Sequence, residues 1–447
     1  MAYLGPVVTL GFCSQRQRYD EGVLTFIDAR AFSGELSSLL PSPEAPGTAV
    51  AAQVRTITEA VRNEGDAALF RFTQEFDGAS LDRLDVTQEE LQAATGRIDP
   101  SVLYALEVAY KRIFAYHAHE MSTPETYEDG RVTVRPLSVP VDRAGCYAPG
   151  GLARYPSSVL MCVAPARVAG VDNIALCIPP DRSGRIDDVS LAAAAVAGVS
   201  EVYALGGAQA IAALALGTET IPRVDVIVGP GNSYVAEAKR QLSGEVGVAS
   251  SFAGPSEVVV IADGSTRPEL AAIDLMVQAE HGPDGMAWLI TWDEMIARNV
   301  DAALERLIAE SPRKEQLLAT MEKSGVCVLV DSPAQAVEVS NIVAPEHLEL
   351  LVDDYSDLVE LIRNAGAVFC GQNAPASLGD YAVGPNHILP TNRSARFASS
   401  LRADDFLKHI HVVEVSPEGF DELAPTVIAL AQSEGLAAHV DSIRFRQ

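Results

Sequence analysis

The sequence predicts an α/β protein with two parallel-sheet units in series, flanked by helical N- and C-terminal segments. Three observations carry that prediction. Short β-rich runs alternate with helical stretches from Val141 onward, and a second alternating set begins at Ser256. Such alternation calls for parallel sheets covered on both faces. The composition, 48% hydrophobic and 21% charged over 447 residues, is that of a soluble globular chain with ample material for a core.

Taken in order, residues 1–45 read as irregular and end in the linker-like Pro41-Ser42-Pro43-Glu44-Ala45-Pro46. Val54–Phe76 has helical spacing, interrupted at Gly65-Asp66, and stops at Phe76-Asp77-Gly78; Asp99–His119 is a second amphipathic helix. The first alternating set is Ala144–Tyr147 closing in Pro149-Gly150-Gly151, then Asn173–Ile178, Ser190–Gly198, Glu201–Leu205, Ala208–Gly217, Asp225–Val228 and Ser233–Leu242. The pattern is Rossmann-like, without a G-x-G-x-x-G fingerprint. The second set runs through Ser256–Ile261, Pro268–His281, Met286–Trp292, Asp293–Ala309, Val326–Val330, Pro333–Val343, the apolar run from Leu348 and Ala367–Phe369. Ala403–Gln447 reads as mostly helical and polar, an appendage or dimerisation arm. The expected division is 1–46 as an extension, 47–143 with 255–400 as one α/β domain, 144–254 as the second, and 401–447 as the arm. The cleft between the two α/β units is the expected site.

Several function classes are disfavoured. A net charge of −27 opposes nucleic acid or an anionic membrane as partner. Six scattered cysteines without C-x-x-C fit buried thiols in a reducing compartment, so any metal must use His, carboxylate or amide ligands. The apolar stretch Leu191–Gly217 is broken at Ser200-Glu201, and no signal-peptide order opens the chain, which makes the cytoplasm the default location.

The chemistry gathers in a few places. Glu346-His347 sets a carboxylate beside an imidazole ahead of a buried run; on an extended chain the two point to opposite sides, giving two bases for a two-step oxidation. Gly206-Gly207-Ala208-Gln209 and Gly229-Pro230-Gly231-Asn232 sit at strand ends, where open sheets bind ligands, although Gln209 and Asn232 also read as helix caps. Gln278 and His281 share one face at a helix end, a start on a metal site or simply a solvated terminus. Asp380 and His387 fall in a glycine-rich loop, and Glu434 with His439 near the C-terminus. A Gln, an Asp and two His suit Zn²⁺. His117, His119, His409 and His411 read as surface or structural.

Together these segments resemble the histidinol dehydrogenase family over about nine-tenths of the chain. The resemblance is carried by Gly65-Asp66-Ala67-Ala68-Leu69, Tyr155-Pro156-Ser157-Ser158, Gly206-Gly207-Ala208-Gln209-Ala210, Gly229-Pro230-Gly231-Asn232, Gly254-Pro255-Ser256-Glu257, Gln278-Ala279-Glu280-His281, Pro345-Glu346-His347-Leu348, Gly379-Asp380-Tyr381 and Glu434-Gly435-Leu436 with His439. It implies zinc ligation by Gln278, His281, Asp380 and His439, and proton transfer by Glu346 and His347. It further implies substrate contacts from Ser256, Gln278, His281, His347, Asp380, Glu434 and His439, NAD contacts from Tyr147, Gln209 and Asn232, and a further active-site histidine at His387. It also implies a homodimer whose C-terminal arm completes the partner's site, and conversion of L-histidinol to L-histidine at the end of histidine biosynthesis. Residues 1–45 match nothing in the family pattern, and Cys146, Ala148 and Pro385 depart from its commonest choices without removing a proposed site residue. The alternatives are a related zinc- and NAD-dependent dehydrogenase of another polar alcohol, a zinc hydrolase using Glu346 without a dinucleotide, and a non-catalytic metal-binding module.

Overall fold

The computed structural model describes residues 16–17, 22–41, 48–150, 154–249, 256–280 and 285–447. Among these, a seven-stranded sheet runs in the order Arg16–Gln17, Thr25–Asp28, Gly325–Leu329, Met286–Thr291, Glu257–Ala262, His347–Leu350, Ala367–Cys370, parallel throughout except for the first strand. Alternate side chains of these strands feed two cores. Val258, Val260 and Ala262 pack with Leu275, Leu289 and Cys327 on one face. Val259, Ile261, Leu348 and Leu350 pack with Ile290 and Val328 on the other. Each fully buried Val, Ile or Leu contributes roughly 1.5–3 kcal/mol, which accounts for a central strand reading Glu-Val-Val-Val-Ile-Ala with every residue buried.

That alternation positions the chemistry. Val258 pairs with His347 and Val260 with Glu349, so His347 and Glu349 share the face covered by the Pro268–Ala279 helix. Gln278 lies in the last turn of that helix.

The second sheet has five parallel strands in the order Glu201–Ala204, Asn173–Ile178, Arg143–Tyr147, Val226–Val228, Gly247–Val248. The chain winds outward from Arg143–Tyr147 in one direction and then crosses over to Val226–Val228. The order therefore reverses between those two strands, the position at which open α/β sheets bind ligands beyond the carboxyl ends. Tyr147 ends one of these strands and Gly229 follows the other. The N-terminal helices pack here: Val54, Ile57, Val61 and Leu69 join Leu205, Ile211 and Leu214 in one core.

Five sequence expectations need correction. Residues 1–45 are not wholly irregular, because Thr25–Asp28 pairs with Gly325–Leu329 inside the larger sheet. Lys314–Ser324 is a helix that the pattern did not reveal. The C-terminal segment is mostly helical, in Pro417–Ser433 and Ala437–Arg444, but it also holds a strand that the pattern did not reveal, Leu407–Val415, paired antiparallel with Val132–Pro140. Asp380 lies in a short helix, Ala376–Tyr381, rather than in a loop. The fifth concerns the Glu346-His347 pair and is taken up with the site. Among the described residues no helix is long and apolar enough to cross a membrane.

Candidate active site

The Pro333–Val343 helix ends at Ala344, whose backbone is left-handed (φ 52°, ψ 59°). Pro345 then forbids a return to helix, and the chain enters the strand at His347. Glu346 therefore precedes the regular strand, and its carboxylate is not thrown to the face opposite His347. Instead Glu346 Oε2 lies 3.6 Å from His347 Nδ1. The expectation of two bases on opposite sides is corrected to two bases in contact.

The backbone of one residue clamps both. The Glu257 N–H donates to Glu346 Oε2 at 3.0 Å, and His347 Nδ1 lies 3.1 Å from the Glu257 carbonyl oxygen. A carbonyl can only accept, so Nδ1 carries the proton and, in the neutral ring, Nε2 is the basic nitrogen. His347 Nε2 is buried without a hydrogen-bond partner; the Asp380 Oδ1 oxygen 3.5 Å away approaches it as an ion pair only. Glu257 is held in turn by the Asn392 N–H, which donates to its carboxylate at 3.0 Å.

The electrostatics follow from burial. Desolvation raises Glu346 to about 7, with the neighbouring imidazole holding it back. Burial opposes the charged form of His347, but the Glu346 and Asp380 carboxylates outweigh it and raise the ring to about 9. Desolvation and the Glu346 charge push Glu257 up to about 8. Asp380→Asn removes one of the two anions that stabilise the imidazolium, so the His347 titration should move down toward the ordinary histidine value. Ring-proton NMR of the metal-free protein measures it, and an unmoved titration would show that Asp380 does not set this ring's charge.

Supporting groups surround the pair. Gln278 is buried, and its Nε2 has no partner. The helix bearing Asp380 is tied down at its start, where the Ala376 N–H donates to Glu349 Oε1 at 2.7 Å. Burial and the neighbouring Asp274 carboxyl both push the Glu349 carboxyl up. This acid pair joins the helix of Gln278 to the strand of His347. His387 Nδ1 donates to the Asp380 carbonyl at 2.8 Å, and its Nε2 lies 3.3 Å from Ser158 Oγ on the Pro156–Val168 helix. His387 thus bridges the two sheet units. Asn386 donates to the Met161 carbonyl at 2.7 Å and stands against the fully buried His117.

Ser256 lies directly ahead of Glu257, half-buried. His281 lies outside the described residues. Glu434 and His439 are exposed in the C-terminal segment, and the structure does not bring them to this pair within one chain. Among the described residues no group of three or more His, Cys, Asp or Glu stands in metal-holding geometry.

The second sheet gathers the other predicted residues. Tyr147 is buried, and its hydroxyl oxygen accepts the Gly207 N–H at 3.2 Å. Gln209 is 1% exposed, and its Oε1 has no partner; it caps nothing, since Gly206 is the cap residue of that helix. Asn232 does cap a helix: its Oδ1 accepts from the N–H groups of Tyr234 at 3.0 Å and Val235 at 3.1 Å. Its side chain is exposed beside the switch point.

Sequence reasoning missed Glu257, Asp274 and Glu349. The available signal was a carboxylate at register i+2 from His347 inside the apolar Leu348-Glu349-Leu350, and another at i−4 from Gln278. For Glu257 there was none, because its peptide group carries the contact.

The comparisons with known proteins show the family. A family model described as histidinol dehydrogenase matches residues 41–447. The chain is 45% identical over 418 residues to a histidinol dehydrogenase of Agrobacterium fabrum, covering 93% of this chain and 96% of the relative. It is 47% identical over 400 residues to one from Synechococcus, covering 89% and 92%. A crystal structure of histidinol dehydrogenase from Elizabethkingia anophelis superposes with a TM-score of 0.90 at 36% identity, covering 96% of this chain and 99% of that one.

Proposed function

We propose that this chain, which belongs to the histidinol dehydrogenase family, oxidises L-histidinol to L-histidine through histidinal, the last step of histidine biosynthesis, in the cytoplasm. One histidinol, one water and two NAD⁺ give histidine, two NADH and the released protons. The observation that carries this reading is the buried Glu346–His347 pair, a carboxylate and an imidazole clamped by the backbone N–H and C=O of Glu257.

Both implied groups suit the residues present. Gln278 offers a buried amide whose nitrogen finds no acceptor; amide nitrogen and oxygen are assigned from the hydrogen-bond network, and turning the amide over presents an oxygen instead. With the Asp380 carboxylate this is a cation-seeking set. Gln278, His281, Asp380 and His439 of the partner subunit would hold the ion. Zinc, when bound, supplies a redox-inert Lewis acid that fixes the substrate's nitrogens. Tyr147 and Asn232 follow from the two strands that flank the switch point, and the Tyr147 hydroxyl reaches the turn ahead of the orphaned Gln209 oxygen; a dinucleotide held by these residues would supply the hydride acceptor.

The residues then divide the work. His347 Nε2 takes the hydroxyl proton in the alcohol step from the neutral form of the ring, whose Nδ1–H the Glu257 carbonyl holds, so this step strengthens as pH rises toward about 9. Glu346, raised by burial to about 7, is partly ionised near neutrality and takes a proton from the water that adds to the aldehyde. Ser256, Glu434 and His387 serve substrate placement. Homodimerisation is supported by exposed apolar side chains on the C-terminal strand, Ile410 on one face and Val413 and Val415 on the other, 47%, 58% and 45% exposed. Mixing protein, NAD⁺ and histidinol should raise absorbance at 340 nm, and other polar amino alcohols should not. No signal with histidinol, or an equal one with other alcohols, rejects the substrate assignment.

A further inference from the structure

Lys239 is the bulkiest fully buried side chain among the described residues, 1% exposed. It sits in the Ser233–Leu242 helix, two turns after the Asn232 cap. Long helical side chains slant toward the helix N-terminus, so its ammonium rises beneath the turn that precedes the helix and donates to the Gly229 carbonyl. The titratable groups facing it are thiols only, Cys146 on the Arg143–Tyr147 strand and Cys162 on the Pro156–Val168 helix. No described carboxylate neutralises it.

Every structural consideration opposes a lysine there. Burial penalises the charge and pushes it down to about 8. The positive end of the helix macrodipole lies on the side its ammonium occupies. A methionine would fill the same space without either cost. The turn above packs closely enough against its neighbours to require glycines. Gly229 has φ +115°, and a Cβ there would stand 2.0 Å from the Tyr147 carbonyl oxygen; a Cβ on Gly231 would stand 2.3 Å from Val235. A neutral side chain would serve that packing as well, so the charge has another use.

We propose that Lys239 is a positioning residue for the dinucleotide: it turns the Gly229 carbonyl inward and keeps a positive charge beneath the Gly229–Asn232 turn, favouring an anionic diphosphate above it. Inward rotation removes a negative carbonyl end from the ligand side, and a desolvated charge acts on that side with little screening. The proposal rests on the dinucleotide reading given above.

Lys239→Met in the full-length protein tests it. NADH binding is followed by fluorescence titration without histidinol, and folding by the melting temperature. The expected result is a melting temperature equal to or above that of the wild type, with NADH affinity weaker by about tenfold. The KM for NAD⁺ rises and that for histidinol does not. Unchanged NADH affinity in a folded variant overturns the proposal, as does a loss of affinity matched by a lower melting temperature. Should Lys239→Met not fold, the wild type decides: NADH affinity falling as pH rises through about 8 supports the proposal, and a flat profile overturns it. A wild type that binds no NADH overturns the dinucleotide reading itself.

Discussion

His347→Asn should slow the oxidation of histidinol by on the order of 10²–10⁴ in rate while leaving the oxidation of added histidinal largely intact. The substitution is chosen for its geometry. An asparagine amide can still donate to the Glu257 carbonyl that now meets Nδ1, so the strand keeps its hydrogen bond and loses only the basic Nε2. Glu346→Gln should do the reverse. Its oxygen still accepts the Glu257 N–H, but it cannot take a proton from water, and the aldehyde step falls by a similar factor. The pH dependence adds a second signature. Because the active form of Glu346 is the carboxylate, histidinal oxidation should rise as pH passes about 7. Removing the imidazole deprives that carboxylate of its cationic neighbour, so in His347→Asn the rise should shift to higher pH. Half-reactions measured with histidinol and histidinal separately decide the matter; equal losses in both steps for both variants contradict the division of labour.

Metal removal is the second large effect. Treatment with a chelator should reduce turnover to background and added Zn²⁺ should restore it, because in the proposed reading the amide of Gln278 and the carboxylate of Asp380 grip the substrate's nitrogens through the ion. NADH binding should survive the same treatment, because Tyr147, Gln209 and Asn232 belong to the other sheet. Full turnover in protein shown by elemental analysis to hold no metal contradicts the positioning role. Loss of NADH affinity together with the metal contradicts the separation of the two halves.

Much of this arrangement was legible in the sequence, and the gaps have physical causes. The parallel strands announced themselves as buried apolar runs, as at Glu257–Ala262. Thr25–Asp28 did not, because a strand of four residues whose partner lies some 300 positions along the chain leaves no local trace. Leu407–Val415 escaped for a different reason: both of its faces are largely exposed, and Lys408, His409 and His411 are mixed with valines, which blurs the period. At the site, Glu346 and His347 were found as residue types, but their contact was not, since it depends on the left-handed Ala344 and on Pro345. Glu257 acts through its backbone, which no side-chain pattern reports. Lys239 looked like one more polar residue on an amphipathic helix; only the packing shows it buried.

If two bases in a single clamp carry an alcohol all the way to an acid, the yield of reduced cofactor per substrate is the most direct reading of it. With limiting histidinol and excess NAD⁺, the absorbance at 340 nm should level off at two NADH for each histidinol consumed, with histidine as product. A plateau at one NADH, with histidinal accumulating, would contradict the account.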